Sequence, residues 1–289
     1  MASGRGEPVV IEIFTRDFMR FALIAAFLVG LTAPAVGTFI VQRRLALLGD
    51  GIGHVALTGV ALGFLTRTQP VYMAVVVAIL GAVAIELVRA RGRTGGDVAL
   101  ALLFYGGLAG GALLIYLAPG ESTASLNVYL FGSITSVQGA DLAVMAVLAV
   151  FVLGVLAMYG RELFVLCQDE EVARASGLPV RFLSLLIAVV AALTVVVAMR
   201  AVGLLLVSAL MVVPVATSQQ LTRSFRGTMA LSVVLGLAAT LGGLTTSYYV
   251  NVPSGSAIVL LSLAGFVLAL GLGRFVRRGS WETGKGRAA

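Results

Sequence analysis

The 289 residues contain one histidine, His54, which stands four positions after an acid, Asp50, in the run LLGDGIGHVALTG. On a helix, positions i and i+4 share a face, so this carboxylate and imidazole would project side by side. Carboxylate oxygen and neutral imidazole nitrogen form a competent pair for a divalent cation, suited to zinc, manganese or iron(II). The residue types leave two other readings open. One is a buried hydrogen-bonded pair that locks two helices together. The other is a proton relay, since histidine titrates near neutral pH. A relay needs further acids inside the apolar core. Glu86 is the best extra candidate, but it lies toward the end of its segment, where Arg89 or the interface would engage it.

The rest of the chain decides what surrounds this pair. Hydrophobic residues make up 60% and charged residues 11%, with mean hydropathy +1.06. A soluble domain carries roughly 25% charged residues, so this composition cannot cover a surface that faces water. Apolar runs of about 20 residues follow one another, the length a helix needs to cross roughly 30 Å of hydrocarbon. The sequence therefore predicts an all-helical, multi-pass membrane protein. The net charge of +7 comes from basic residues at the ends of apolar runs, which reads as topology control rather than nucleic-acid binding. The lone Cys167 rules out an intrachain disulfide and any multi-cysteine metal site.

Nine apolar segments are expected, at about 18–41, 46–65, 71–88, 98–117, 142–159, 182–199, 203–218, 229–249 and 256–275. The seventh is short and contains Pro214, so it reads as a partial or broken span, which leaves the count at eight or nine. The start imitates a secretory signal around Ala33-Pro34-Ala35, but apolar character continues to Val41 and further spans follow. Residues 1–17 form a polar N-terminal segment, 18–276 the membrane domain and 277–289 a polar tail. With nine spans and the N-terminus outside, fifteen of the 20 Lys and Arg residues fall on the inside. Starting the second span near Ala46 puts His54 about 12 Å deep, near the bilayer middle, where ionisable groups face a cavity or a partner. Gly59/Gly63, Gly106/Gly110 and Gly107/Gly111 are small-xxx-small pairs that let helices approach closely. The stretch APGESTASLNVYLFGSITSVQGAD is too polar to span and suggests a re-entrant turn or interfacial helix.

An inside loop carries QDEEVARASGLPVRF. Asp169, Glu170 and Glu171 suit the first turn of a short helix, where the dipole favours negative charge. Ala173, Ala175 and Gly177 give it a slim profile, and Pro179 is expected to end it. Such a helix at the membrane face suits docking of a cytosolic partner, as well as an ordinary surface role. There is no phosphate-binding Gly-rich Lys loop, no Gly-x-Ser-x-Gly elbow and no His-Glu-x-x-His. The chain itself is not an enzyme, and any ATP-driven transport would need an ATPase supplied by another subunit.

RRLALLGDGIGHVALTGVALG, NVYLFGSI, EEVARASGLPV, AMRAVGLLLVSALMVVPVATSQQL and PSGSAIVLLSLAGF, in this order and spacing, make the chain resemble the ABC-3 permeases of bacterial importers for zinc, manganese and iron(II). The resemblance runs from about Phe18 to Phe275. It implies a helical bundle similar to vitamin B12-type importer permeases, working as a homodimer in the plasma membrane with an ABC ATPase and an extracytoplasmic metal-binding protein. It also implies metal passage at Asp50 and His54, near an outward gate. ATPase coupling through Gln168 to Leu178 is implied as well, with Glu171, Ala175 and Gly177 at the matching places. The divalent ion is cargo, and no cofactor is bound permanently. One histidine per chain leaves coordination to be completed by the dimer mate, backbone carbonyls or water. The alternatives are a permease for an iron chelate or corrinoid, and a stand-alone ion-coupled transporter.

Overall fold

A computed structural model of the chain describes residues 17–91, 96–118, 129–132, 139–199 and 202–285. The polar segment before residue 17 and most of the irregular stretch between 118 and 141 lie outside them. Among the described residues, ten helices are laid out in chain order: α1 Asp17–Gln42, α2 Leu48–Leu65, α3 Pro70–Ala90, α4 Gly96–Leu117, α5 Gly139–Gln168, α6 Glu170–Ala175, α7 Val180–Met199, α8 Leu204–Leu221, α9 Phe225–Val250 and α10 Ser254–Lys285. Eight are long and apolar enough to span a membrane, and α8 is the shorter ninth leg.

Contacts between helix ends fix the course of the chain. Gln42 meets Gln168, and Arg43 meets Ser184 and Glu170, at one end of the bundle. Gly63 meets Pro70 at the other end. The first end gathers Arg43, Arg89, Arg161, Arg174 and Arg226, which marks it as cytoplasmic. The buried helices α1, α2 and α7 form the centre. For α7, 78% of the apolar window is buried, against 17% for α5, so α7 is a core helix and α5 faces lipid.

The structure explains why the seventh segment looked partial. Gly53 lies against Leu204, and Gly53 sits ten positions before Gly63 on α2. At 1.5 Å per residue, α8 therefore starts about 15 Å below the outer end of α2. The α7–α8 turn is sunk into the bundle. Gly203 has φ +91° and Gly132 has φ +70°, and their backbones touch. Val202 and Leu204 are buried there, as is Tyr129, whose ring packs edge-on against Phe64 at 5.9 Å. The described part of the irregular stretch, Tyr129 to Gly132, is thus packed into the bundle.

Three boundaries differ from the sequence expectation, one of them the far end of α10, which runs to Lys285 rather than stopping near residue 275. Helix α5 continues to Gln168, well past the apolar limit near Tyr159. Apolar character marks the edge of hydrocarbon, whereas Arg161, Glu162 and Leu163 are all competent helix formers. The lone Cys167 is buried on this extension, its thiol 3.5 Å from the Phe39 carbonyl oxygen. Helix α6 ends before Pro179. Gly177, at φ +77°, stops it: Gly177 N–H donates to Arg174 O and Leu178 N–H donates to Ala173 O, both at 3.1 Å. That pair of bonds is a Schellman closure, which needs a left-handed residue after the last helical turn.

Candidate metal-passage site

The site grows from the glycines around Asp50 on α2. Gly49 faces Ser208 and Met211 on α8, Gly51 faces Leu103 on α4, and Gly53 faces Leu204. A Cβ at each would sit only 3.3–3.4 Å from those side chains. These are near ordinary contact distances, so the three glycines line the approach of α4 and α8 on either side of the acid without a β-carbon being shut out there. One turn further on, Gly107 of α4 presses onto the backbone of His54 and Val55, where a Cβ would meet the Val55 nitrogen at 2.6 Å. Thr58 Oγ1 donates to Gly107 O at 2.8 Å and pins the same contact. Gly59 and Gly63 similarly seat Ala74 and Pro70 of α3. Gly106 is different: it faces open space, so its pairing with Gly110 does not draw two helices of this chain together.

This packing holds His54 and Asp50 in unlike surroundings. The His54 side chain is 6% exposed and that of Asp50 is 33% exposed. Phe104 of α4 lies edge-on to the imidazole, with ring centroids 4.4 Å apart. The imidazole Nε2 stands 3.9 Å from Asp50 Oδ1, beyond hydrogen-bond reach. Its Nδ1 is buried and has no hydrogen-bond partner. Asp50 Oδ1 accepts instead from Ser208 Oγ at 3.3 Å, across from α8. The two side chains make no hydrogen bond to each other; Asp50 ties α2 to α8 through Ser208, while the imidazole bonds neither helix. A buried polar atom left without a partner is uncommon and points to a ligand or water. Carboxylate, imidazole and hydroxyl together provide oxygen and nitrogen donors at one depth.

Ser208 was not singled out in the sequence, although it is the one polar residue in the run GLLLVSALMVVP. Glu86 is taken out of any relay by its ion pair with Arg89, at 2.8 Å with both side chains largely buried. Among the described residues, no three His, Cys, Asp or Glu side chains gather closely enough to hold a metal.

The cytoplasmic segment is built by local rules. Asp169 is the N-cap of α6, accepting from Glu171 N–H at 2.8 Å and Val172 N–H at 3.2 Å. Glu170 bonds Arg174 at 3.0 Å and lies 3.5 Å from Arg43, which also donates to Ser184 Oγ at 3.1 Å. Ala173 is fully buried and anchors α6 to the bundle. Glu171, Val172, Ala175 and Gly177 face outward.

The profile of the ABC 3 transport family matches residues 15–273, which is most of the chain. The chain belongs to the ABC 3 transport family. Within it, the chain is similar to a probable metal transport system membrane protein of Treponema pallidum, 35% identical over 88% of this chain and 95% of that one. It is also similar to the manganese import system permease protein ScaB of Streptococcus gordonii, 34% identical over 87% of this chain and 90% of that one. A solved structure, PsaBC from Streptococcus pneumoniae in complex with Fab, superposes with TM-score 0.81 at 32% identity, covering 90% of this chain and 95% of that one. A metal-chelate type ABC transporter in an inward-facing conformation shares the fold at TM-score 0.71 and 16% identity.

Proposed function

We propose that this ABC 3 family member is the permease subunit of an ATP-driven importer of divalent transition metal, with manganese as cargo. It lies in the bacterial plasma membrane and acts as a homodimer. An ABC ATPase drives it, and an extracytoplasmic metal-binding protein supplies it. Relatives named as manganese import permeases support the choice of metal. The observation that carries the mechanism is the Asp50–His54 pair, with its unpartnered imidazole and the Ser208 hydroxyl beside it.

At this depth the ion exchanges water for Asp50 oxygen and His54 nitrogen. Ser208 orients the carboxylate through its hydrogen bond. Two such pairs, one from each copy, supply up to four side-chain ligands, and waters or carbonyls complete the shell. Binding stays weak enough for release, because conduction needs escape as well as entry. Asp50→Asn and His54→Ala should each remove most uptake of radiolabelled manganese in proteoliposomes, with expression and ATPase assembly intact. Near wild-type uptake for both, per assembled complex, would sink the reading.

Residues Gln168 to Leu178 form the docking element for the ATPase, with Glu171, Ala175 and Gly177 on the contact side. Because Gly177 holds a positive φ, a bulky residue there would strain the turn as well as block docking. Ala175 is exposed and helical, so Ala175→Trp isolates the steric effect. Pull-down of the ATPase by that variant should drop sharply. Undiminished association would move docking elsewhere.

A further inference from the structure

Helices α5 and α9 stand apart over α1 near the cytoplasmic end and leave a groove of about 840 Å3 between them. Its floor is Leu31 and Ala35 of α1, and its walls are Leu156 of α5 and Met229 and Val233 of α9. An aromatic cluster closes the inner end: Phe225 packs on Phe164 at 4.7 Å and on Phe39 at 5.2 Å. Arg161 and Arg226 line the same groove from its two walls, and both are exposed. Among the described residues, neither guanidinium has an acid within ion-pair distance. Arg43, Arg89 and Arg174, at the same end, are all paired with glutamates. Arg226 also stands in the first turn of α9, where the helix dipole disfavours a cation. A bound anion would offset both the repulsion and the missing partners.

We propose that this groove is a binding site for an anionic phospholipid of the cytoplasmic leaflet. One acyl chain lies against α1 between the two walls, and the headgroup phosphate is held by Arg161 and Arg226. The charge complementarity fixes the occupant: an apolar trough at acyl depth ends in two unpaired arginines on the cytoplasmic side. Basic pockets between membrane helices on that side recognise lipid phosphates in this way. The long arginine side chains reach the headgroup level while their stems stay in the apolar wall.

The test is native mass spectrometry of the purified full-length protein in detergent, titrated with phosphatidylglycerol or phosphatidylcholine. Wild type should retain one phosphatidylglycerol in preference to phosphatidylcholine. The double variant Arg161→Gln/Arg226→Gln should lose roughly 10- to 30-fold in phosphatidylglycerol affinity, as expected for two basic residues near a phosphate. Arg91→Gln, an exposed arginine at the same end, should leave it unchanged. Gly160 also lines the groove, and a Cβ there would meet nothing within 4 Å. Gly160→Trp should therefore fill the trough without moving the helices and displace the lipid with both arginines intact. Equal phosphatidylglycerol binding by wild type and the double arginine variant would overturn the proposal. So would a delipidated dimer that falls apart on Gly160→Trp, which would give the groove to a second copy of the chain.

Discussion

The Asp50–His54 region and the α6 segment are both polar islands in an apolar chain, and they are held in opposite ways. Around α6 the designated contacts are made: Asp169 caps the first turn, Gly177 closes the last, and Glu170 is bridged by Arg43 and Arg174. At mid-depth the imidazole is left with a buried nitrogen unbonded and a neighbouring carboxylate out of reach. Polar groups usually go unsatisfied where something else completes them. By this contrast α6 is finished as a fold element, as the proposed docking role requires. The Asp50–His54 site leaves a buried imidazole nitrogen open, which is what the proposed cargo would use.

The largest way to break this comparison is to move the wall behind His54. Gly107→Val would drive a side chain into the backbone of His54 and Val55, which cannot rotate away. Overpacking of this kind costs about 1–3 kcal/mol or more. Thermal unfolding of the purified protein should shift down by several degrees, with manganese uptake lost. Gly106→Val, one residue earlier and facing open space, should change neither. If both glycines tolerate valine, close approach of α4 to α2 does not position the imidazole.

The sequence made the two regions legible to different degrees. The Asp50–His54 spacing was readable because a helix face is a local property. Its surroundings were not: Ser208 and Phe104 reach the site from α8 and α4, more than a hundred and about fifty positions away in the chain. The glycines GDGIG were visible, but which helix each admits is a fact of packing. Gly106 and Gly107 look alike in sequence and differ completely in the fold. For α6 nearly everything is local, so the acids at its start were read correctly. The one difference there has a local cause too: Pro179 is the terminator the sequence suggests, whereas a left-handed glycine two residues earlier closes the helix. The slim profile given by Ala173, Ala175 and Gly177 does not say which residue faces inward; packing buries Ala173. The nine-leg course was legible from apolar runs. The sinking of α8 into the bundle depends on backbone contacts at Gly132, Gly203 and Gly255 that no composition window reports.

A smaller effect sharpens the link between the regions. Arg43 sits in the turn that leads into α2, with its side chain 7% exposed, and it holds Ser184 and Glu170 together. Arg43→Met keeps the packing volume and removes both contacts. Glu170 is half exposed and keeps Arg174, so the lost ion pair counts for little and the loss comes mainly from the Ser184 hydrogen bond. With a charged donor, that bond is worth about 1.5–3 kcal/mol. ATPase association should persist because the outer face of α6 is untouched. Manganese uptake per ATP hydrolysed should fall, since α6 would no longer be tied to the start of α2. An unchanged ratio of uptake to hydrolysis would show that the tie is structural only.

The smallest expected effect tests whether α6 is held by its own caps or by the bundle. Asp169 accepts two backbone N–H groups at the helix start, and replacing such a cap by alanine costs about 1 kcal/mol. Asp169 also carries a negative charge next to the positive end of the helix, which adds a few tenths more. A six-residue helix cannot stand on its own propensity. The buried Ala173 and the Arg43–Glu170 contact must therefore carry what the cap does not. Asp169→Asn keeps an accepting oxygen and should be nearly silent, whereas Asp169→Ala should raise amide hydrogen exchange across Glu170–Ala175 by roughly fivefold. Exchange elsewhere in the bundle should stay as in wild type. If Asp169→Ala leaves exchange in α6 unchanged, tertiary anchoring alone fixes the segment, and the contrast between a locally specified handle and a packing-specified site fails.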